Sequence, residues 1–168
     1  MGFTEAINTV MGNLCNFNGR SRRSEFWWFM LVFYIAQSIL GLALQPISAP
    51  LVASMVVQVL WFLPLAVTIR RLQDGGHSKW WVIVSWASSL ACNLFMFCGD
   101  AYTNLMASPT VENVLAFFSP QVNISLFINL VTSIVILVMA MLDGTPDENK
   151  YGPSPKYYVE GEDEVTTI

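Results

Sequence analysis

Two arginines, an aspartate and the chain's one histidine fall within eight residues of RRLQDGGHSKWW (70–81), between long stretches that carry no charge. Arg70 and Arg71 present forked guanidinium groups that suit a phosphate or carboxylate, and Asp74 with His77 could exchange a proton. No nucleophile or oxyanion donor stands beside that pair, so no catalytic residue is assigned and enzyme activity is not the favoured reading. Arg20, Arg22 and Arg23 form a second basic group, and Asn149 with Tyr151 a polar group near the end. Cys15, Cys92 and Cys98 lack metal-ligand spacing, so neither metal nor cofactor is expected.

The elements that must position these groups are membrane helices. Hydrophobic residues make up 54% of the 168 and charged residues only 12%, against about 25% charged in a soluble domain. A helix needs about 20 mostly apolar residues to cross a bilayer. Four segments meet that length, at about 26–45, 51–69, 80–98 and 122–142. The first reads as retained rather than as a cleaved leader, because its apolar core is too long and no small-residue cleavage site follows. Pro46, Ser48 and Pro50 break the first from the second, Pro64 bends the second, and Gly144 with Pro146 ends the fourth. The fold class is therefore all-α: a polytopic, four-helix transmembrane bundle in one domain, 1–158. Phe3, Ile7, Val10, Met11, Leu14 and Phe17 recur at helical spacing and predict an N-terminal amphipathic helix, either on the membrane surface or packed beneath the bundle. Residues 159–168 read as an acidic disordered tail. In the loop 99–121, VENVLAFF predicts a short interfacial helix.

All eight Lys and Arg fall before the first span, between the second and third, or after the fourth. The other two connections hold none. Basic residues favour the cytoplasmic side, so both termini are expected there. Arg70 and Arg71 then sit at the C-terminal end of span two, where the helix dipole welcomes cations. One further helical turn would place Asp74 at i+4 and i+3 from them, with Gly75 and Gly76 ending the helix and Ser78 capping the next. Arg22, Arg23 and Lys79 fall at helix N-termini, where the dipole opposes them, so lipid phosphates, acidic partners, Glu25 or Asp74 must compensate. Anchoring by the positive-inside rule explains the same residues, and both readings stand.

No Asp, Glu, Lys, Arg or His lies within the four spans, which argues against a proton pump or voltage sensor. Each span holds an amide near its middle or inner half: Gln37, Gln58, Asn93 and Asn129. They either hydrogen-bond between helices or line a polar path. Ser85, Ser88, Ser89 and Cys92 form a small-residue face on span three, suited to close helix contact. The net charge of −4 and the absence of an aromatic-basic motif give nucleic-acid binding no support.

FNGRSRRSEFWWF (17–29), RRLQDGGHSKWW (70–81) and DGTPDENKYGPSPK (143–156) together resemble the three signature stretches of the domain-of-unknown-function 805 family, small bacterial inner-membrane proteins. The family's middle motif usually reads R-R-L-H-D-x-G-K-S-G-W-W; here Gln73, His77 and Lys79 stand at the positions of His, a basic residue and Gly. The resemblance implies a bacterial inner-membrane location and covers about residues 10–158. A compact bundle would gather Arg20, Arg22, Arg23, Arg70, Arg71, Asp74, His77, Asn149 and Tyr151 at one cytoplasmic mouth. The expected role is a non-enzymatic accessory or scaffold protein that binds anionic lipid headgroups or a membrane partner, which includes a second copy of itself. The alternatives are a small-solute or lipid transporter using the midspan amides, and a membrane enzyme acting on a lipid headgroup.

Overall fold

A computed structural model describes residues 2–44, 50–97 and 100–155. Eight helices run through these residues: α1 (Phe3–Met11), α2 (Arg23–Leu44), α3 (Pro50–Leu60), α4 (Phe62–Asp74), α5 (Trp80–Phe97), α6 (Asp100–Ala107), α7 (Val111–Phe117) and α8 (Pro120–Met141). The four membrane spans are Arg23–Leu44, Val52–Asp74, Trp80–Phe97 and Pro120–Met141. The protein is thus an all-helical polytopic membrane protein. Pro46, Ser48, Cys98, Lys156 and the acidic tail 159–168 lie outside the described residues.

The second span is two helices, α3 and α4, parted at Trp61. The cause is Pro64, which has no N–H to offer the Leu60 carbonyl four residues back and whose ring crowds that carbonyl. The bend expected from sequence is therefore a break, placed one turn before the proline. At its other end α4 runs five residues beyond Ile69 to Asp74, so the extra turn is present. It closes through His77 N–H to Leu72 O and Gly76 N–H to Gln73 O, a Schellman stop in which Gly76 takes φ +74°. Ser78 Oγ accepts from Trp80 N–H at 3.4 Å and caps α5.

Packing is uneven, as expected where the outer surface meets lipid rather than water. Two apolar clusters hold the basic end of the bundle. One joins Val10, Phe26, Phe29, Met30, Phe33, Val67 and Ala140 from α1, α2, α4 and α8; the other joins Leu65, Ile69, Leu72 and Val82. The outward faces of α2, α5 and α8 carry large exposed side chains such as Ile39, Leu42, Phe95, Phe127 and Leu130. The closest helix pair is α5 with α8, and the small-residue face does this work: Ser88 and Cys92 are buried, and Ser85 Oγ meets Ser133 Oγ at 3.5 Å.

The N-terminal helix forms but stops at Met11, six residues before Phe17, with Gly12 as its cap. Ala6 and Val10 are fully buried, so α1 packs against the basic end of the bundle. Phe3, Met11 and Phe17 stay exposed, and Phe3 stands edge-on to Trp28 at 5.3 Å between centroids. The 100–118 region contains α7 at the VENVLAFF stretch, capped by Thr110, and also α6, which the sequence reading missed.

Candidate functional site

The three charged motifs meet at the end of the bundle where α4 and α8 finish and α2 begins. Asp74 is the centre. Its Oδ1 accepts from Arg20 Nε at 2.8 Å and its Oδ2 from Arg71 Nη1 at 2.5 Å. All three side chains are at least nine-tenths buried. Arg70 does not pair with Asp74; of the two geometries expected, only i+3 is realised.

The other guanidinium bonds go to backbone carbonyls, most of them in the last turn of α8 or in the segment that follows it. Arg20 donates to Asp147 O at 2.8 Å, to Gly152 O at 3.3 Å and to Thr145 O. Arg71 donates to Ala140 O at 3.1 Å, to Leu142 O and to Ser21 O at 3.4 Å. Arg23 donates to Met141 O and to Leu142 O at 3.3 Å, and pairs with Asp143 at 3.1 Å. Arg22 Nε donates to Pro155 O at 2.5 Å.

These bonds have a common physical origin. The last turn of α8 contains no basic residue, and the chain leaves it in an extended conformation at Leu142. Its final carbonyls need donors. Arg71 from α4 and Arg23 from α2 supply them, so the end of one helix is capped by two others.

Asn149 and Tyr151 complete the closure. Asn149 Nδ2 donates to Gln73 O at 3.0 Å, Thr145 N–H to Asp74 O at 3.0 Å, and Tyr151 Oη to His77 O at 3.3 Å. His77 contributes that carbonyl; among the described residues its imidazole takes no hydrogen bond and does not touch Asp74. Gly144 is required for a different reason. A Cβ there would stand 1.9 Å from Asp74 Oδ2, so only glycine lets the chain cross the carboxylate. The sequence reading missed Gly144 in this role, along with Ser21 and Thr145, and set Glu25 against Arg22, Arg23 and Lys79 rather than beside Ser21 and Arg70. Gly144 and Thr145 lie inside a signature stretch, but nothing in their types announces the carboxylate they approach.

Arg70 is the exception among the five arginines. It is 95% buried, yet its Nε and Nη2 have no partner, and among the described residues it forms no ion pair. Glu25 attracts it through space but is committed to Ser21 Oγ, which donates to it at 2.6 Å.

The midspan amides divide. Gln58 Nε2 donates to Trp86 O at 3.3 Å, and its Oε1 accepts from Ser89 Oγ at 3.0 Å and Asn93 Nδ2 at 3.2 Å. Asn129 Nδ2 donates to Ser85 O at 3.0 Å. These tie α3 to α5 and α5 to α8. Gln37 stands apart, its Oε1 buried without a partner. Among the described residues no His, Cys, Asp and Glu cluster could hold a metal.

The family described as "Protein of unknown function (DUF805)" matches residues 14–153. The chain is similar to the inner membrane protein YhaH of Escherichia coli K12, 29% identical over 153 residues, which covers 88% of this chain and 93% of that one. It is also similar to the inner membrane protein YhaI of the same organism, 28% identical over 157 residues, covering 89% and 93%. No solved structure matches it.

Proposed function

We propose a function from one premise: the chain belongs to the DUF805 family. Its relatives YhaH and YhaI are inner membrane proteins, and this chain is read as a multi-pass protein of the bacterial inner membrane with its basic end in the cytoplasm. It acts there as a non-enzymatic accessory or scaffold protein that holds an anionic lipid headgroup.

The single observation behind this reading is Arg70. A buried guanidinium without hydrogen bonds is costly unless an anion completes it, and phosphate fits its fork. Arg20, Arg23 and Arg71 are occupied in closing the bundle and Arg22 donates to Pro155 O, so the binding arginine is narrowed to one. Its position near the last turn of α4 sets it at headgroup depth, where basic pockets between helices take acidic lipids.

The test is native mass spectrometry of the intact protein in mild detergent, titrated with phosphatidylglycerol or with phosphatidylcholine. Wild type should retain phosphatidylglycerol preferentially, and Arg70→Gln should lose that preference while keeping its helix content. Equal retention of both lipids by wild type, or an undiminished preference in Arg70→Gln, overturns the reading.

A further inference from the structure

A second polar region lies deeper, in the half of the bundle nearer the basic end. A cavity of about 280 Å³ is bounded by residues from all four spans. Trp27, Trp61 and Trp86 supply flat aromatic walls, and Gln58, Ser85, Ser89, Asn129 and Ser133 supply hydrogen-bonding groups. None of its lining residues is Asp, Glu, Lys, Arg or His. Arg70 does not line it, so the two sites stand or fall separately.

The chemistry of the wall restricts the occupant. An ion would be buried without a counter-ion, so the ligand is neutral. A mainly apolar lining with a few placed polar groups is the usual composition of a small-molecule site. The polar groups are only partly used by the protein. Asn129 and Gln58 each donate one of two amide hydrogens, Asn129 Oδ1 accepts nothing among the described residues, and the Ser85 and Ser133 hydroxyls meet only at the 3.5 Å limit. These groups suit oxygens on a ligand. Since an apolar cavity of about 150 Å³ holds benzene, this volume admits a substituted six-membered ring.

The route in is lateral. The basic end is closed by Arg20, Asp74 and Arg71, whereas α2 packs mainly on α1 and α4 and only sparingly on α8. Trp27 and Tyr34 of α2 and Leu137 of α8 line the cavity and are 41%, 50% and 48% exposed. We propose that this cavity binds a neutral, lipid-soluble ring bearing hydrogen-bonding oxygens, of the phenol or quinone class, taken from the bilayer between α2 and α8.

The experiment uses the full chain in lipid nanodiscs and a decyl-substituted dimethoxy-methyl-benzoquinone as probe, read by quenching of tryptophan fluorescence. Decylbenzene, with the same tail and no oxygens, serves as competitor. The expected result is saturable quenching in wild type that decylbenzene fails to displace. Asn129→Leu should weaken it about tenfold, and Ser133→Phe, which puts a ring at the cavity wall from an exposed position, should leave only linear, collisional quenching. Linear quenching in wild type overturns the proposal without any variant. So does saturable quenching that decylbenzene displaces, or that survives unchanged in both variants.

Discussion

Arg70 and Arg71 are adjacent, identical in type and both buried, yet replacing each by Met should move stability in opposite directions. Arg71→Met removes an ion pair with Asp74 and leaves the Ala140, Leu142 and Ser21 carbonyls without that donor. Breaking one side of a buried pair costs about 3–5 kcal/mol. Arg20 still holds Asp74, which lowers the penalty, while the stranded carbonyls of α8 raise it. A net loss of about 3–5 kcal/mol is expected. For a chain of this length that is a fall of roughly 6–20 °C in melting midpoint. Arg70→Met surrenders no side-chain hydrogen bond, keeps the aliphatic bulk and removes a buried charge that is offset only by the through-space attraction of Glu25. It should be neutral or stabilising by up to about 2 kcal/mol. The assay is thermal unfolding in delipidated detergent followed by size-exclusion chromatography. Added phosphatidylglycerol should then raise wild type and not Arg70→Met. A drop in Arg70→Met as large as in Arg71→Met would refute the division of labour between the two arginines.

Three further outcomes follow from the same geometry. Gly144→Ala places a methyl against the Asp74 carboxylate and should cost about 3 kcal/mol; in an Asp74→Ala background the cost should largely vanish, a coupling that a thermal double-mutant cycle reads directly. Gln58→Leu removes the junction of Trp86, Ser89 and Asn93 and should destabilise by only about 1–2 kcal/mol, so a collapse of the fold in the same thermal assay would show the amide network to matter far more than that. With Cys98 replaced by Ser, the exposed Cys15 should react with an impermeant maleimide in inverted vesicles and not in intact spheroplasts, and the reverse pattern would invert the proposed topology.

Much of this architecture was legible because its signals are local. Span length, charge-free runs and the Gly75–Gly76 stop each follow from a few consecutive residues. Pro64 was legible as a distortion, though the break it causes falls a turn away at Trp61, since the carbonyl it fails to serve is four residues back. The end of the amphipathic helix was misjudged because Leu14 and Phe17 keep the apolar period after the helix has stopped at Gly12. The closure at the basic end was only half legible. The motifs could be expected to meet and Arg71 to reach Asp74 at i+3, but that Arg20 joins it there, and which carbonyls take the other donors, depends on contacts across about 50 to 130 residues. Gly144 is the clearest case, for its role exists only relative to a carboxylate 70 positions earlier.

The density of charge in RRLQDGGHSKWW now has a cause beyond orientation. A membrane helix that ends without its own cap leaves carbonyls at the edge of the hydrocarbon, where water serves them poorly. α8 is such a helix, and its donors arrive from α2 and α4. Lysine could satisfy the positive-inside rule equally well, but an ammonium is a compact point charge, whereas the guanidinium of Arg71 spreads its donors in a fixed fork over one carboxylate and three carbonyls. Cross-helix capping therefore demands arginine at Arg71 and Arg23 for geometric reasons. It also fixes how deep α8 sits relative to α4, because each carbonyl must meet its donor. Arg70 lies one position from this closure and its side chain takes none of the bonds, although its carbonyl accepts from Ser21 N–H at 3.3 Å. A guanidinium left out of the closure, yet buried beside it, is the group on which the proposed anion site rests.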